Sequence, residues 1–192
     1  MWGSGTSSDC AAARGAGAAL ALVGGACWVS LATATVWITV EEAVALAFGD
    51  ATTTRETLFL TDDQISRVAE EGGGELSGAM VTRYVAVADG NRVGYSYLDT
   101  HRVRTLPETL MVVLEPDGGV RRVEVVAFRE PLEYIPRDSW YGQFEGQRLS
   151  DELALKRNIR PVTGATLTAR ATTEAVRRIL AIHSVVETGD GR

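Results

Sequence analysis

Hydrophobic and polar positions along the chain follow three regimes. Residues 15–40 carry no charged side chain and are apolar or small almost throughout. Beyond residue 40, apolar positions return at helical spacing, and from residue 80 they alternate with polar ones at the period of a strand. Residues 41–48 predict a short amphipathic helix with Ala43, Val44, Ala47 and Phe48 on one side, ended by Gly49-Asp50. Residues 51–60 read as extended. Thr61-Asp62-Asp63-Gln64 ahead of Ile65, Val68 and Ala69 predicts a helix start with a capping box, and Gly72-Gly73-Gly74 predicts its end.

Residues 80–88 and 92–98 predict strands joined at Asp89-Gly90-Asn91, with Tyr95 and Tyr97 on one face. Residues 109–115 and 120–128 predict a second hairpin, turning at Pro116-Asp117-Gly118-Gly119. After Arg129 the pattern is irregular and aromatic, with Tyr134, Trp140, Tyr141 and Phe144, and residues 151–155 read as a short helical turn. Thr172, Ala175, Val176, Ile179 and Ile182 predict the strongest helix, with Arg177 and Arg178 toward its cation-favouring C-terminal end. The expected class is α+β: a mostly antiparallel sheet with flanking helices, preceded by an N-terminal hydrophobic helix. There is no internal repeat.

Composition changes this picture at the N-terminus. The 192 residues are 45% hydrophobic with a net charge of -6, which excludes a disordered chain and argues against a nucleic-acid binder. The charge-free run is long enough to cross a bilayer, so it reads as a membrane anchor. Arg14, the apolar stretch 16–31 and Ala32-Thr33-Ala34 equally fit a cleaved secretory signal. The run continues past Ala34 through Val36, Trp37 and Ile38, which leans toward retention. Both readings export residues 41–192 to the periplasmic side. That part contains no cysteine, because Cys10 and Cys27 lie in the leader, so it has no disulfide framework, thiolate metal site or haem attachment motif. The organisation expected is a leader over 1–40, a helical extension over 41–76, the main domain over 77–184 and a tail over 185–192.

Candidate chemistry concentrates in Pro161-Val162-Thr163-Gly164-Ala165-Thr166-Leu167-Thr168-Ala169-Arg170. The plain reading is a capping loop with Thr168 as N-cap of the last helix. The same loop suits a phosphate-bearing partner, since Gly164 and Ala165 allow close approach and the free N–H groups of the helix start favour negative charge. It is not a Walker loop, because no Gly-Lys-Ser/Thr follows.

Thr163-Gly164-Ala165-Thr166-Leu167-Thr168 resembles the Ser/Thr-Gly-Ala-Thr-x-Thr motif of the FMN-binding domain family. That family includes the G subunit of RNF electron-transport complexes, the C subunit of sodium-translocating NADH:quinone reductases and small stand-alone exported flavoproteins. The resemblance covers about residues 80–182: Gly94-Tyr95 on a strand, a hairpin at Asp117-Gly118, a strand over 123–128, then Glu130 and Gln143-Phe144-x-Gly146 ahead of the motif. It implies FMN carried on Thr166 through a phosphodiester, installed outside the cytoplasm by an FAD:protein FMN transferase. Thr163, Gly164, Ala165 and Thr168 complete the implied cofactor site; Glu130 and Tyr134 fall where the family's sheet runs into its flavin loop or else are polar surface positions, and Trp140, Tyr141 and Phe144 either stack on the ring, Trp140 or Tyr141 foremost, or fill the core. The further partner implied is a redox protein or membrane complex. One departure stands out: where the family has Asp three residues before the motif, this chain has Arg160.

Other candidates read blandly. Asp99-Thr100-His101 and Glu108 are expected in a solvated loop rather than a metal site. His183 is expected to make a favourable contact with a helix end. Arg102, Arg104, Arg121, Arg122 and Arg129 face either a flavin phosphate, an acidic partner or solvent. The expected function is that of an exported electron-transfer flavoprotein, with two alternatives: a non-redox binding or assembly domain that has lost flavinylation, and a flavin-dependent reductase.

Overall fold

The computed structural model describes residues 35–36, 38–74, 76 and 78–189. The elements are β1 (Thr35–Val36), α1 (Val40–Phe48), β2 (Thr52–Phe59), α2 (Asp62–Gly72), β3 (Met80–Ala88), β4 (Asn91–Arg102), β5 (Pro107–Leu114), β6 (Val120–Phe128), α3 (Asp138–Tyr141) and α4 (Thr166–Gly189). The strands form one antiparallel sheet in the order β1-β6-β5-β4-β3-β2, so the fold is α+β as the pattern predicts.

The sheet is covered on both faces. Leu110, Val112 and Leu114 of β5 pack with Ala175, Val176 and Ile179 of α4, while Met111 and Val113, pointing the other way, pack with Ala43 and Val44 of α1. This is the period-two alternation of a strand with apolar residues on both faces. α2 lies against α4. Both short N-terminal helices open on reciprocal caps, Thr39 with Glu42 and Thr61 with Gln64. α1 can sit close to the sheet because of Gly94. A Cβ there would lie 2.6 Å from the Leu114 carbonyl oxygen and 2.9 Å from the Phe48 ring.

Several expectations change. The expected N-terminal hydrophobic helix lies outside the described residues up to Ala34, but Thr35 and Val36 pair with Phe128 and Ala127, and Ile38 packs beside α1. Part of the stretch that leaned toward an anchor therefore belongs to the sheet. No helix among the described residues is long and apolar enough to cross a membrane. Residues 41–76 supply a covering helix and an edge strand of the same sheet. Residues 151–155 form turns rather than a helix. α4 begins six residues before Thr172, at Thr166, and runs to Gly189. Arg177 and Arg178 consequently sit mid-helix. Arg177 donates to the Gly72 and Glu71 carbonyls at the C-terminus of α2, at 3.3 Å each, and Arg178 reaches Asp99.

Candidate functional site

The Thr-Gly-Ala-Thr loop leads into the N-terminus of α4 beside Tyr134 and the turn that carries Arg104. Thr166 is the first helical residue, and its exposed hydroxyl donates to the Val162 carbonyl at 3.1 Å. Thr163 and Gly164 are also exposed, and Gly164 has φ +87° with nothing within 4 Å of where a Cβ would stand. The first regular helical bond of this end joins the Ala169 N–H to the Ala165 carbonyl, so the N–H groups of Thr166, Leu167 and Thr168 precede the intrahelical ladder. Thr168 is not the N-cap. It is buried in the first turn, and its hydroxyl donates to the Tyr134 carbonyl at 2.5 Å.

Two cavities flank the loop and share Ala165. The smaller, about 150 Å³, is bounded by Arg104, Tyr134, Gly164, Thr166, Leu167 and Thr168. The larger, about 760 Å³, is a groove bounded by Thr163, Trp140, Gln143, Arg137, Arg160 and Glu133 among others. Trp140 presents one side to this groove. Its Nε1 donates to the Arg160 carbonyl at 2.7 Å, while its ring meets Tyr141 and Phe144 edge to face at 5.2 and 5.3 Å. The Arg160 N–H donates to Gln143 Oε1 at 2.9 Å, which fixes the backbone while the side chain stays exposed.

Glu130 acts at one remove. Its carboxylate is buried and does not line either cavity; Oε1 accepts from the N–H groups of Arg104, Thr105 and Leu106 at 3.2, 2.7 and 2.8 Å. Burial alone would raise its pKa, yet the N–H groups of Leu106, Thr105 and Arg104 outweigh it and hold the carboxyl below its ordinary value. The turn so held carries Arg104, whose guanidinium lies 4.9 Å from the Tyr134 ring centroid. Of the five arginines singled out in the sequence, Arg104 is the one on the small cavity. Arg102 donates to the Thr105 carbonyl, Arg121 pairs with Glu115 and Arg122 with Glu124.

Tyr141 is not brought to the loop. It borders a separate cavity of about 630 Å³ with Ile38, Arg122 and Ser139, and its buried hydroxyl has no hydrogen-bond partner among the described residues. Burial raises its pKa, and the Glu108 and Asp138 charges act in the same direction.

The Asp99, His101 and Glu108 side chains form a buried cluster and not a solvated loop. His101 bonds Asp99 at 2.9 Å and Glu108 at 3.0 Å, and Arg178 of α4 reaches Asp99 at 2.7 Å. The cluster arises because β4 continues to Arg102, which sets His101 directly opposite Glu108 on β5. Burial opposes the imidazolium, but the two carboxylates outweigh it and raise the His101 pKa to about 9. Among the described residues no group of three or more His, Cys, Asp and Glu side chains is arranged to hold a metal ion.

His183 is likewise buried rather than at a helix end. It bonds the Tyr97 hydroxyl at 3.0 Å and packs edge to face on Tyr95 at 4.6 Å. Desolvation lowers its pKa, so burial favours the neutral imidazole.

In comparisons with known proteins no family model matches the chain, and no curated protein or solved structure matches it. The sequence reading passed over Arg137 at this site and named Arg104 only as one of five. The local signal for Arg104 is weak, because the turn over 103–106 contains no Gly, Pro, Asn or Asp.

Proposed function

We propose that the Thr163–Thr168 loop is an attachment site for FMN and that the chain is an extracytoplasmic electron carrier, with residues 1–34 serving as anchor or signal. The observation that carries this reading is the placement of the Thr166 hydroxyl: exposed, on the first turn of a 24-residue helix, at a small cavity that shares Ala165 with a larger groove. The donor set suits the group. Free first-turn N–H groups and Arg104 favour a phosphate, and the open space at Gly164 admits it. The larger groove, with Trp140 on its wall, has room for a planar ring.

Attachment is a phosphoryl-group transfer. Thr166 Oγ1 forms a bond to the flavin-side phosphorus of FAD while the bond between the two phosphates breaks. AMP leaves with the electron pair, and the hydroxyl proton passes to a base of the transferase. Once bound, FMN supplies the ability to take two electrons and release them singly. The chain's part is to hold it: Thr166 tethers, Arg104 and the helix start offset phosphate charge, Thr168 fixes Tyr134, and Trp140 excludes water from one side of the groove.

A second reading rests on Arg160, which stands where the resembled family has an Asp and which, with Arg137, sets two cations against Glu133 in the groove. On that reading the domain binds an anionic ligand reversibly and is not flavinylated. Co-expression with the transferase in an exporting host, followed by intact-mass measurement, separates the two. The carrier reading expects an FMN adduct that is lost in Thr166→Ala; an unmodified, colourless wild-type chain overturns it.

A further inference from the structure

Residues 103–106 make a tight turn between β4 and β5, closed by the Val103 N–H on the Leu106 carbonyl at 3.1 Å. Nothing in Val103-Arg104-Thr105-Leu106 favours a turn by itself. Its shape is imposed by Glu130, a buried carboxylate spending one oxygen on three consecutive N–H groups and on the Thr105 hydroxyl at 3.3 Å. The facing wall is fixed as well, since the Thr168 hydroxyl ties the Tyr134 carbonyl to the first turn of α4. Between these two anchors stand Arg104 and the Tyr134 ring, on the cavity of about 150 Å³ that also contains Thr166. Among the described residues Arg104 makes no ion pair, and its guanidinium rests on an aromatic face.

A cation held in place, without a carboxylate partner, on a cavity too small for a flavin ring and beside a helix start, is matched to a phosphoryl group. We propose that Arg104 contacts the phosphate of the ligand carried at Thr166, and that Glu130 and Thr168 are positioning residues for Arg104 and Tyr134. The phosphate then occupies the small cavity and the ring the Trp140 groove. This rests on the flavin reading above and sharpens it by naming the side chain that tells a phosphorylated flavin from an unphosphorylated one.

The test uses the full chain made without the transferase, titrated with FMN and with riboflavin while Trp fluorescence is followed. Wild type is expected to prefer FMN by about tenfold, the order of one charge-assisted contact at a partly exposed site. Arg104→Ala is expected to cut that ratio several-fold with riboflavin affinity unchanged, leaving the smaller preference that the helix start supplies, and Arg104→Lys to keep more of it. Glu130→Gln is expected to lower the same ratio, a readout that general loss of stability would not move selectively. Arg104 is exposed, so its variants keep the fold, which circular dichroism checks. A full FMN preference in Arg104→Ala overturns the Arg104 assignment alone. A wild-type chain that binds neither flavin, and gains no adduct with the transferase, overturns the flavin reading together with it.

Discussion

The two ends of α4 are built to opposite plans. At the C-terminal end Glu187 accepts from Arg83 at 2.8 Å, Arg92 at 3.2 Å and the Tyr95 hydroxyl at 2.7 Å, and Arg83, only 5% exposed, also pairs with Glu56. One turn earlier His183 is closed in by Tyr95 and Tyr97. Midway, Arg178 joins the Asp99–His101–Glu108 cluster. At the N-terminal end the polar groups are left facing cavities: Thr163 and Thr166 are exposed, the first N–H groups precede the ladder, and Arg104 has an aromatic ring beneath it where a carboxylate would otherwise be expected. Charges satisfied inside the protein hold a helix to a sheet; polar groups left open at a rigid end are available to a ligand. Anchoring one end frees the other from that task.

This contrast can be broken experimentally, beginning with the mid-helix cluster. His101 has its folded pKa raised from about 6.5 to about 9, so its contribution, on the order of 3 kcal/mol, is fully present below pH 6.5 and is lost as pH rises through 9. Tyr97, pushed up to about 12, acts only as pH rises past the ordinary tyrosine value near 10, whereas His183, lowered from 6.5, adds stability as pH rises through 6.5, a change opposite in sign to the His101 loss. Urea unfolding at pH 6 and pH 9.5 should show the loss, and His101→Gln should flatten it; an unchanged midpoint in wild type would remove the cluster's claim to hold α4.

Next in size, Glu187→Ala leaves buried Arg83 with Glu56 as its one carboxylate partner and takes from the Tyr95 hydroxyl its acceptor, leaving it only the Arg92 guanidinium, and is expected to cost about 2 kcal/mol in the same assay. Thr168→Val removes one buried hydrogen bond to Tyr134 and is expected to cost about 1 kcal/mol. Smallest, Thr163→Ala and Arg104→Ala should each stay within about 0.5 kcal/mol of wild type, because both are exposed and neither supports the core. If they destabilise as much as Glu187→Ala, the open end is structural after all.

How much of this was legible depends on how local each cause is. The Thr61/Gln64 capping box, both glycine-containing hairpin turns and the strand over 120–128 rest on neighbours a few residues apart, and the sequence pattern locates them. The His101 cluster was missed because β4 was ended at residue 98; the turn that extends it has no turn-forming residue and is held by Glu130, 24–26 residues away. Thr168 looked like a cap because three threonines surround the helix start, and only the packing of Tyr134 shows which of them is inside. The loop's exposure and its two cavities come from the way α3 and the 103–106 turn close on it, which no spacing encodes.

The Glu130 clasp has an evolutionary consequence. It reads main-chain N–H groups and is largely indifferent to what residue 104 carries outward. Position 104 can therefore mutate through many side chains while the turn keeps its shape, so ligand preference could drift, or be selected in a library at this single codon, without the fold being renegotiated each time.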